Sequence, residues 1–271
     1  MKQIFLAAIL FISTMTRSQE LYVFSDPASN VPAKSISPKL SAYFIPKPND
    51  ADKFLHRYVP EVMFGISKNF MLRANLSFSN MHTNRFIWES VYLYGKYRIF
   101  TSDELHRHFR MAVFADVSYS RNPFHFDEVN LMGDKSGVQA GIIATQLWNK
   151  LAISGTISHT QVLHKSRKYA NNQVYSFPYQ AFNYSLSAGY LILPVEYKDY
   201  RQTNLNFYLE FLAQQTLDPN KYYIDMAPAV QFIFNSNTKV NIGYRFQLGS
   251  NEMWRMSTDT WHVGVERTFL N

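Results

Sequence analysis

The chain of 271 residues contains no cysteine. That absence excludes a disulfide framework, a thiolate metal centre and a cysteine nucleophile. It also excludes a lipid-modified cysteine behind a leader, so any attachment to a membrane must come from the fold itself. Long apolar runs are missing too. After the first dozen residues no stretch of about 18 apolar residues occurs, which rules out a membrane-spanning helix. Charge of one sign is not concentrated. Lys and Arg number 27 against 20 Asp and Glu, and the cations are scattered over strand ends, turns and inward positions. A nucleic-acid partner would need them gathered on one face, so none is expected.

The N-terminus reads as a secretory leader. Lys2 supplies a positive start, residues 4–12 are apolar, and Thr16 and Ser18 are small residues placed for cleavage before Gln19, with Arg17 between them. The apolar run is too short to span a bilayer and gives way to polar residues from Ser13, which disfavours a buried helix. A signal peptide over 1–18 is the expectation. Its removal would lower the formal charge from +7 to +5 by the loss of Lys2 and Arg17.

What the chain has in quantity is a two-residue rhythm. Phe70, Leu72, Ala74, Leu76 and Phe78 alternate with Met71, Arg73, Asn75, Ser77 and Ser79. Successive side chains of a strand point to opposite faces, so one face of this segment is apolar and the other carries a cation, an amide and hydroxyls. About twelve such segments follow one another, and ten is the competing count. The short connections Ser67-Lys68-Asn69, Trp148-Asn149-Lys150 and Asn235-Ser236-Asn237 fall after segments two, six and ten. That parity is what a barrel with both termini on one side requires. Aromatics make up 16% of the chain, enough for girdles at two membrane interfaces. A soluble β-sandwich explains the alternation but not the aromatic load together with a leader. The expected fold is all-β, a transmembrane antiparallel up-and-down barrel over 36–271. Pro38, Pro60 and Pro228 fall inside strands and mark bulges or poorly paired points. Residues 45–57, 120–135 and 161–180 read as long loops.

Residues 19–35 hold Tyr22, Phe24, Pro27 and Pro32 and have no period. They read first as a periplasmic tail, with a partial plug of the lumen as the alternative. The inward polar set is mixed in sign: Lys39, Glu61, Arg73, Glu89, Lys96, Arg98, Arg110, Asp116, Glu210, Asp225, Lys239, Arg245, His262 and Glu266. Either these residues line a water-filled path or they pair across the lumen and fill it.

Signals for chemistry are weak. His106 and His108 flank Arg107 near Asp103 and Glu104 and fit an exposed turn better than a metal site. Met253, Met256 and His262 read as packing rather than a copper site. The His-x-Ser-Asn-Gly motif of twelve-strand phospholipases is absent. Ser158 and His159 are adjacent, so they point to opposite faces and cannot form a nucleophile–base pair. His125, Asp127 and Glu128 share a loop, the nearest approach to a protease-like set. No catalysis, cofactor or metal is expected.

The closing run Trp261-His262-Val263-Gly264-Val265-Glu266-Arg267-Thr268-Phe269 resembles the terminal insertion signal of outer-membrane barrels, although Leu270 and Asn271 follow the aromatic. With Ser25-Asp26-Pro27-Ala28-Ser29 and Ser120-Arg121-Asn122-Pro123-Phe124, the chain resembles the outer-membrane β-barrels of Bacteroidota, loosely including a group described as solute transporters of the phenol-degradation type. The resemblance implies a bacterial outer membrane, contact with its lipid, and assembly machinery engaging the C-terminal strand. The expectation is a passive channel for an unidentified small solute through a polar lumen. A structural or surface-binding barrel acting through loops 120–135 and 161–180 is the alternative, and an outer-membrane hydrolase a third.

Overall fold

A computed structural model describes residues 22–47, 50–83, 85–122, 126–163, 167–170, 173–194 and 201–270. The leader expected over 1–18 lies outside them. Alternation makes the strands: β1 (Ser35–Lys47), β2 (Asp50–Gly65), β3 (Phe70–Ser79), β4 (Ile87–Glu104), β5 (Arg107–Ser120), β6 (Gly137–Trp148) and β7 (Leu151–Val162) run antiparallel in sequence order. A two-stranded hairpin, β8 (Arg167–Ala170) and β9 (Gln173–Ser176), stands apart from the main sheet. The wall resumes with β10 (Gln180–Leu193), β11 (Asn204–Thr216), β12 (Tyr222–Phe234), β13 (Thr238–Ser250) and β14 (Asp259–Arg267), and β15 (Phe269–Leu270) continues β14 past Thr268. β14 pairs with β1 from Lys39↔Glu266 to Phe44↔Trp261, which closes a twelve-strand barrel. Closure removes the sheet edge, so the wall's main-chain groups are satisfied without water, as a bilayer demands.

One end carries short turns at residues 66–69, 105–106, 149–150 and 235–237; the other carries the longer loops, apart from the two-residue connection between β1 and β2. His106, Asn149, Asn235 and Ser236 take positive φ there, and Asn accepts that conformation at little cost. The short-turn end is periplasmic by the rule for such barrels. The connection 194–203 between β10 and β11 is the long exception, and most of it lies outside the described residues. Leu40, Leu72, Leu93, Ile157, Leu186 and Val265 are exposed on the outer face, the lipid side. Aromatic rings gather near both rims: Phe44, Tyr58, Phe78 and Phe86 toward the long loops, Phe100 with Phe109 toward the short turns.

Three stretches depart from the sequence reading. Residues 45–57, read as loop, are mostly strand, with β1 and β2 paired in one register to Pro46↔Phe54 and, past a bulge, at Lys47↔Asp50. Odd-numbered inward positions simply continue past Val59 to Arg57 and Leu55, which the Pro, Asn and Asp content of the stretch obscured. The exposed turn read around His106 and His108 tightens to 105–106, because Asp103 pairs with His108 and extends the hairpin. The loop over 161–180 contains the β8–β9 hairpin.

Glu89 faces inward for a reason strict alternation misses. Its parity is opposite to that of Tyr92, Tyr94 and Lys96. A bulge between β3 and β4, where Ser77 pairs with Ser90 and Phe78 with Trp88, turns Glu89 and Ser90 both into the interior.

Candidate functional site: a lumen cavity between two covers

The floor of the lumen is the segment 22–34, which runs inside the barrel rather than hanging below it. It cannot join the wall, since it lacks alternation and Pro27 and Pro32 donate no N–H. Its main-chain groups need partners all the same, and wall side chains supply them. Glu210 on β11 accepts from the N–H of Val23 at 2.8 Å, Phe24 at 2.9 Å and Ser25 at 2.8 Å. Thr145 accepts from the Ala28 N–H at 2.9 Å. Lys96 donates to the carbonyls of Pro27 and Ser29, both at 2.7 Å, and Arg110 to the Ser29 hydroxyl at 2.7 Å. Asp26 receives a forked pair from Arg73 at 2.9 and 3.1 Å. The Phe24 ring rests on Gly243, where an added Cβ would stand 2.7 Å from a ring carbon; only glycine leaves it room. Burial acts to raise the Asp26 carboxyl, but Arg73 and Lys96 outweigh it and hold the pKa down to about 2.

The ceiling is formed by residues 126–136 of the loop after β5, turned inward and held by charge. Arg57 donates to Glu89 at 2.9 Å, to the Met132 carbonyl at 3.0 Å and to Asp134. Glu89, fully buried, also accepts from Ser77 at 2.8 Å, Ser79 at 2.5 Å and Asn122 at 2.9 Å. His82 reaches Asp134 at 2.9 Å. Gly133 takes φ +97° with the Arg57 guanidinium 2.7 Å from where its Cβ would be, so this turn admits glycine alone. A second knot sits across the lumen. Arg255, from the loop after β13, forks onto Asp225 with two contacts of 2.7 Å and lies 3.6 Å over the Tyr223 ring. Arg245 adds a 2.6 Å bond to the same carboxylate, and Glu128 approaches both arginines at 3.5 and 3.8 Å. Gln214 brackets Val129, accepting from its N–H at 2.7 Å and donating to its carbonyl at 2.8 Å. Burial pushes the Lys135 ammonium down to about 8, with Asp134, Glu128 and Asp127 opposing the fall.

Between floor and ceiling lies a cavity of about 390 Å³. Phe24 and Asp26 reach it from below, Val129 and Asp134 from above, and Tyr43, Arg73, Tyr92, Tyr94 and Asp116 line its wall.

The inward residues expected from the sequence divide by what they hold. Arg73, Lys96, Arg110 and Glu210 hold the floor, while Glu89, Asp225 and Arg245 hold the ceiling. Lys239 and Glu266 pair with each other at 2.6 Å. Asp116 faces the cavity. Arg98 differs: it donates to the Lys68 carbonyl at 2.7 Å and to Asn69, so it sits at the short-turn rim. The turn after β2 offers it acceptors closer than the lumen does. Arg57, Asp134, His82, Glu128 and Arg255 were not singled out from the sequence as lumen residues. Arg57 was legible, being the next odd position after Val59; the others lie on loops, where periodicity carries no signal.

The remaining sequence candidates have structural partners. Asp127 binds Lys221 at 2.7 Å and the Trp254 N–H at 2.9 Å, and His125 lies outside the described residues. Ser158 is inside, accepting from Gln139 at 2.7 Å, whereas His159 packs on Phe182. His108 bonds Asp103 at 2.7 Å. His262 lies between Phe24 and Tyr43, and Met253 is buried. Among the described residues no three His, Cys, Asp or Glu side chains gather in a way that could hold a metal ion.

Solved structures share this architecture. An outer membrane channel from Pseudomonas putida F1 superposes with a TM-score of 0.58 at 11% identity, over 92% of this chain and all (100%) of that one. The NanC porin gives 0.54 at 10% identity, over 86% and 98% of the two chains. The KdgM porin, solved in complex with disordered oligogalacturonate, gives 0.50 at 10% identity, over 87% and 99%. The fold is that of a bacterial outer-membrane β-barrel. No protein-family model matches the chain, and no curated protein is detectably similar to it in sequence. In such a barrel the apolar outer face meets lipid, and the covers just described occupy the route between periplasm and exterior.

Proposed function

We propose that the chain is a passive channel for a small solute, seen here with both covers in place. The carrying observation is the floor. Segment 22–34 adds no strand to the wall, fills the lower lumen, and is held by side chains a channel would otherwise present to solute. A purely structural barrel has no need of a polar cavity closed above and below by segments that are not part of its wall. The architecture shared with an outer membrane channel and two porins supports the reading, and the leader over 1–18 fits export. The exposed terminal strand β14–β15 is a fitting handle for the assembly machinery.

The surface-binding alternative loses ground with Asn122, Val129 and Met132, whose polar groups are spent inside the barrel on Glu89, Gln214 and Arg57. The test is planar-bilayer recording of the purified barrel, with and without residues 22–34. Ion conductance that rises several-fold on removing the segment is expected; a barrel silent and impermeable in both forms overturns the channel.

A further inference from the structure

The carboxylates of the cavity's middle belt are unequally partnered. Lys39 and Arg73 face three carboxylates: Asp26, Glu61 and Asp116. Asp26 takes Arg73 at 2.9 Å, and Glu61 is reached by Lys39 at 4.0 Å and Arg73 at 3.7 Å. Asp116 is left over. It is only 6% exposed, yet among the described residues no cation stands within 4.0 Å of it. Neither carboxylate oxygen meets a donor at bonding geometry, and Tyr92 is the polar side chain turned toward it.

The surroundings of Asp116 are aromatic. Phe114 lies two residues before it on the inner face of β5, and Tyr94 is its cross-strand partner on β4. The Phe114 and Tyr94 rings stack at 5.4 Å. A buried carboxylate without an ion pair is costly; the Arg73 guanidinium is already committed, 4.1 Å over the Tyr94 ring and paired with Asp26. The missing group is therefore positive and compact, with an apolar body to lie against the rings.

We propose that the cavity binds a small organic ammonium compound, its N–H groups on Asp116 and its apolar part against Phe114 and the Tyr92–Tyr94 side. The proposal rests on reading the cavity as the channel's solute site and names the solute's chemical class. Gln139, across from Asp116 on β6 and already donating to Ser158, offers its amide oxygen as a further acceptor.

The test is calorimetric titration of the full-length folded barrel in detergent with three probes of one shape: benzylammonium, benzyl alcohol and benzoate. Benzylammonium is expected to bind about tenfold or more tightly than the alcohol, with benzoate weakest. The D116N variant should lose that preference while binding benzyl alcohol as before. Equal affinity for ammonium and alcohol, or a preference that survives D116N, overturns the assignment. Should D116N fail to fold, as judged by heat-modifiable gel migration, the ranking of the three probes on the unaltered protein decides alone. Equilibrium binding does not require flux. A silent barrel that still prefers the ammonium sinks the channel reading and keeps this one; a conducting barrel that does not discriminate sinks only this one.

Discussion

The two covers of the lumen are fastened by opposite means. The floor is held mainly through its own backbone: three N–H groups on Glu210, one on Thr145, two carbonyls on Lys96 and a single ion pair, Asp26–Arg73. The ceiling is held by interlocked charges, Arg57 with Glu89 and Asp134, then Asp225 with Arg245 and Arg255. Buried charge networks are stiff because each member left alone is heavily penalised. Main-chain bonds to side chains are individually modest and come apart one by one. On this contrast the floor is expected to come away before the ceiling does.

The sharpest way to break that comparison is R57M. It strands Glu89 and Asp134 in the interior and should cost about 3–5 kcal/mol of barrel stability, read as a lowered midpoint of urea unfolding in detergent. If R57M instead opens the channel without destabilising it, the ceiling is the movable cover and the contrast is inverted. E210Q comes next. A neutral amide replaces a carboxylate that receives three N–H bonds, so floor docking should weaken by about 2–3 kcal/mol. Segment 22–34 should then become accessible to protease while the unfolding midpoint barely moves.

D26N should have a smaller effect on docking. The Asp26 carboxyl is held at about 2 against an ordinary 3.8, so its contribution is fully present above the ordinary value and vanishes as pH falls through about 2. Its side chain keeps 32% of its surface open, and solvent screening trims the stabilisation to about 1–2 kcal/mol. Protease access to the floor should rise between pH 4 and pH 2 in the native protein, and D26N should flatten that rise. W254A is the mildest. Trp254 packs on Phe126 at 5.3 Å at the outer rim and is 57% exposed, so its loss should cost about 1 kcal/mol of ceiling order. Hydrogen exchange at residues 126–128 would show it.

The wall was legible in the sequence because period-two alternation is a local property, which β3 obeys throughout and β13 obeys as far as its bulge at Leu248. The covers were not, and the reasons are physical. Glu210 meets the backbone of Val23 across 187 positions, and backbone N–H groups look alike in any sequence. Nothing in Gln19 to Ser35 signals that its partners lie inside a barrel, so an aperiodic segment reads as a tail. Glu89 was placed inward although its parity argues otherwise; only the bulge beside Ser90 makes that placement consistent. Arg255 and Asp134 sit in loops whose direction is set by the carboxylates and guanidinium groups they meet. Asp26 was visible only through the Ser-Asp-Pro-Ala-Ser likeness, which turns out to be the stretch that touches Arg73, Lys96, Thr145 and Arg110.

The grip of Glu210 has one further consequence. A carboxylate that reads three consecutive amide N–H groups does not read the identities of Val23 or Ser25. Those side chains are read elsewhere: Val23 is buried in a cluster with Leu147, Ala152 and Tyr208, and the Ser25 hydroxyl meets that of Ser187 at 2.7 Å. A short synthetic peptide offering the same run of amides, with a phenylalanine at the middle position for the Gly243 recess, would then occupy the vacated floor of a truncated barrel and reseal it from outside the chain.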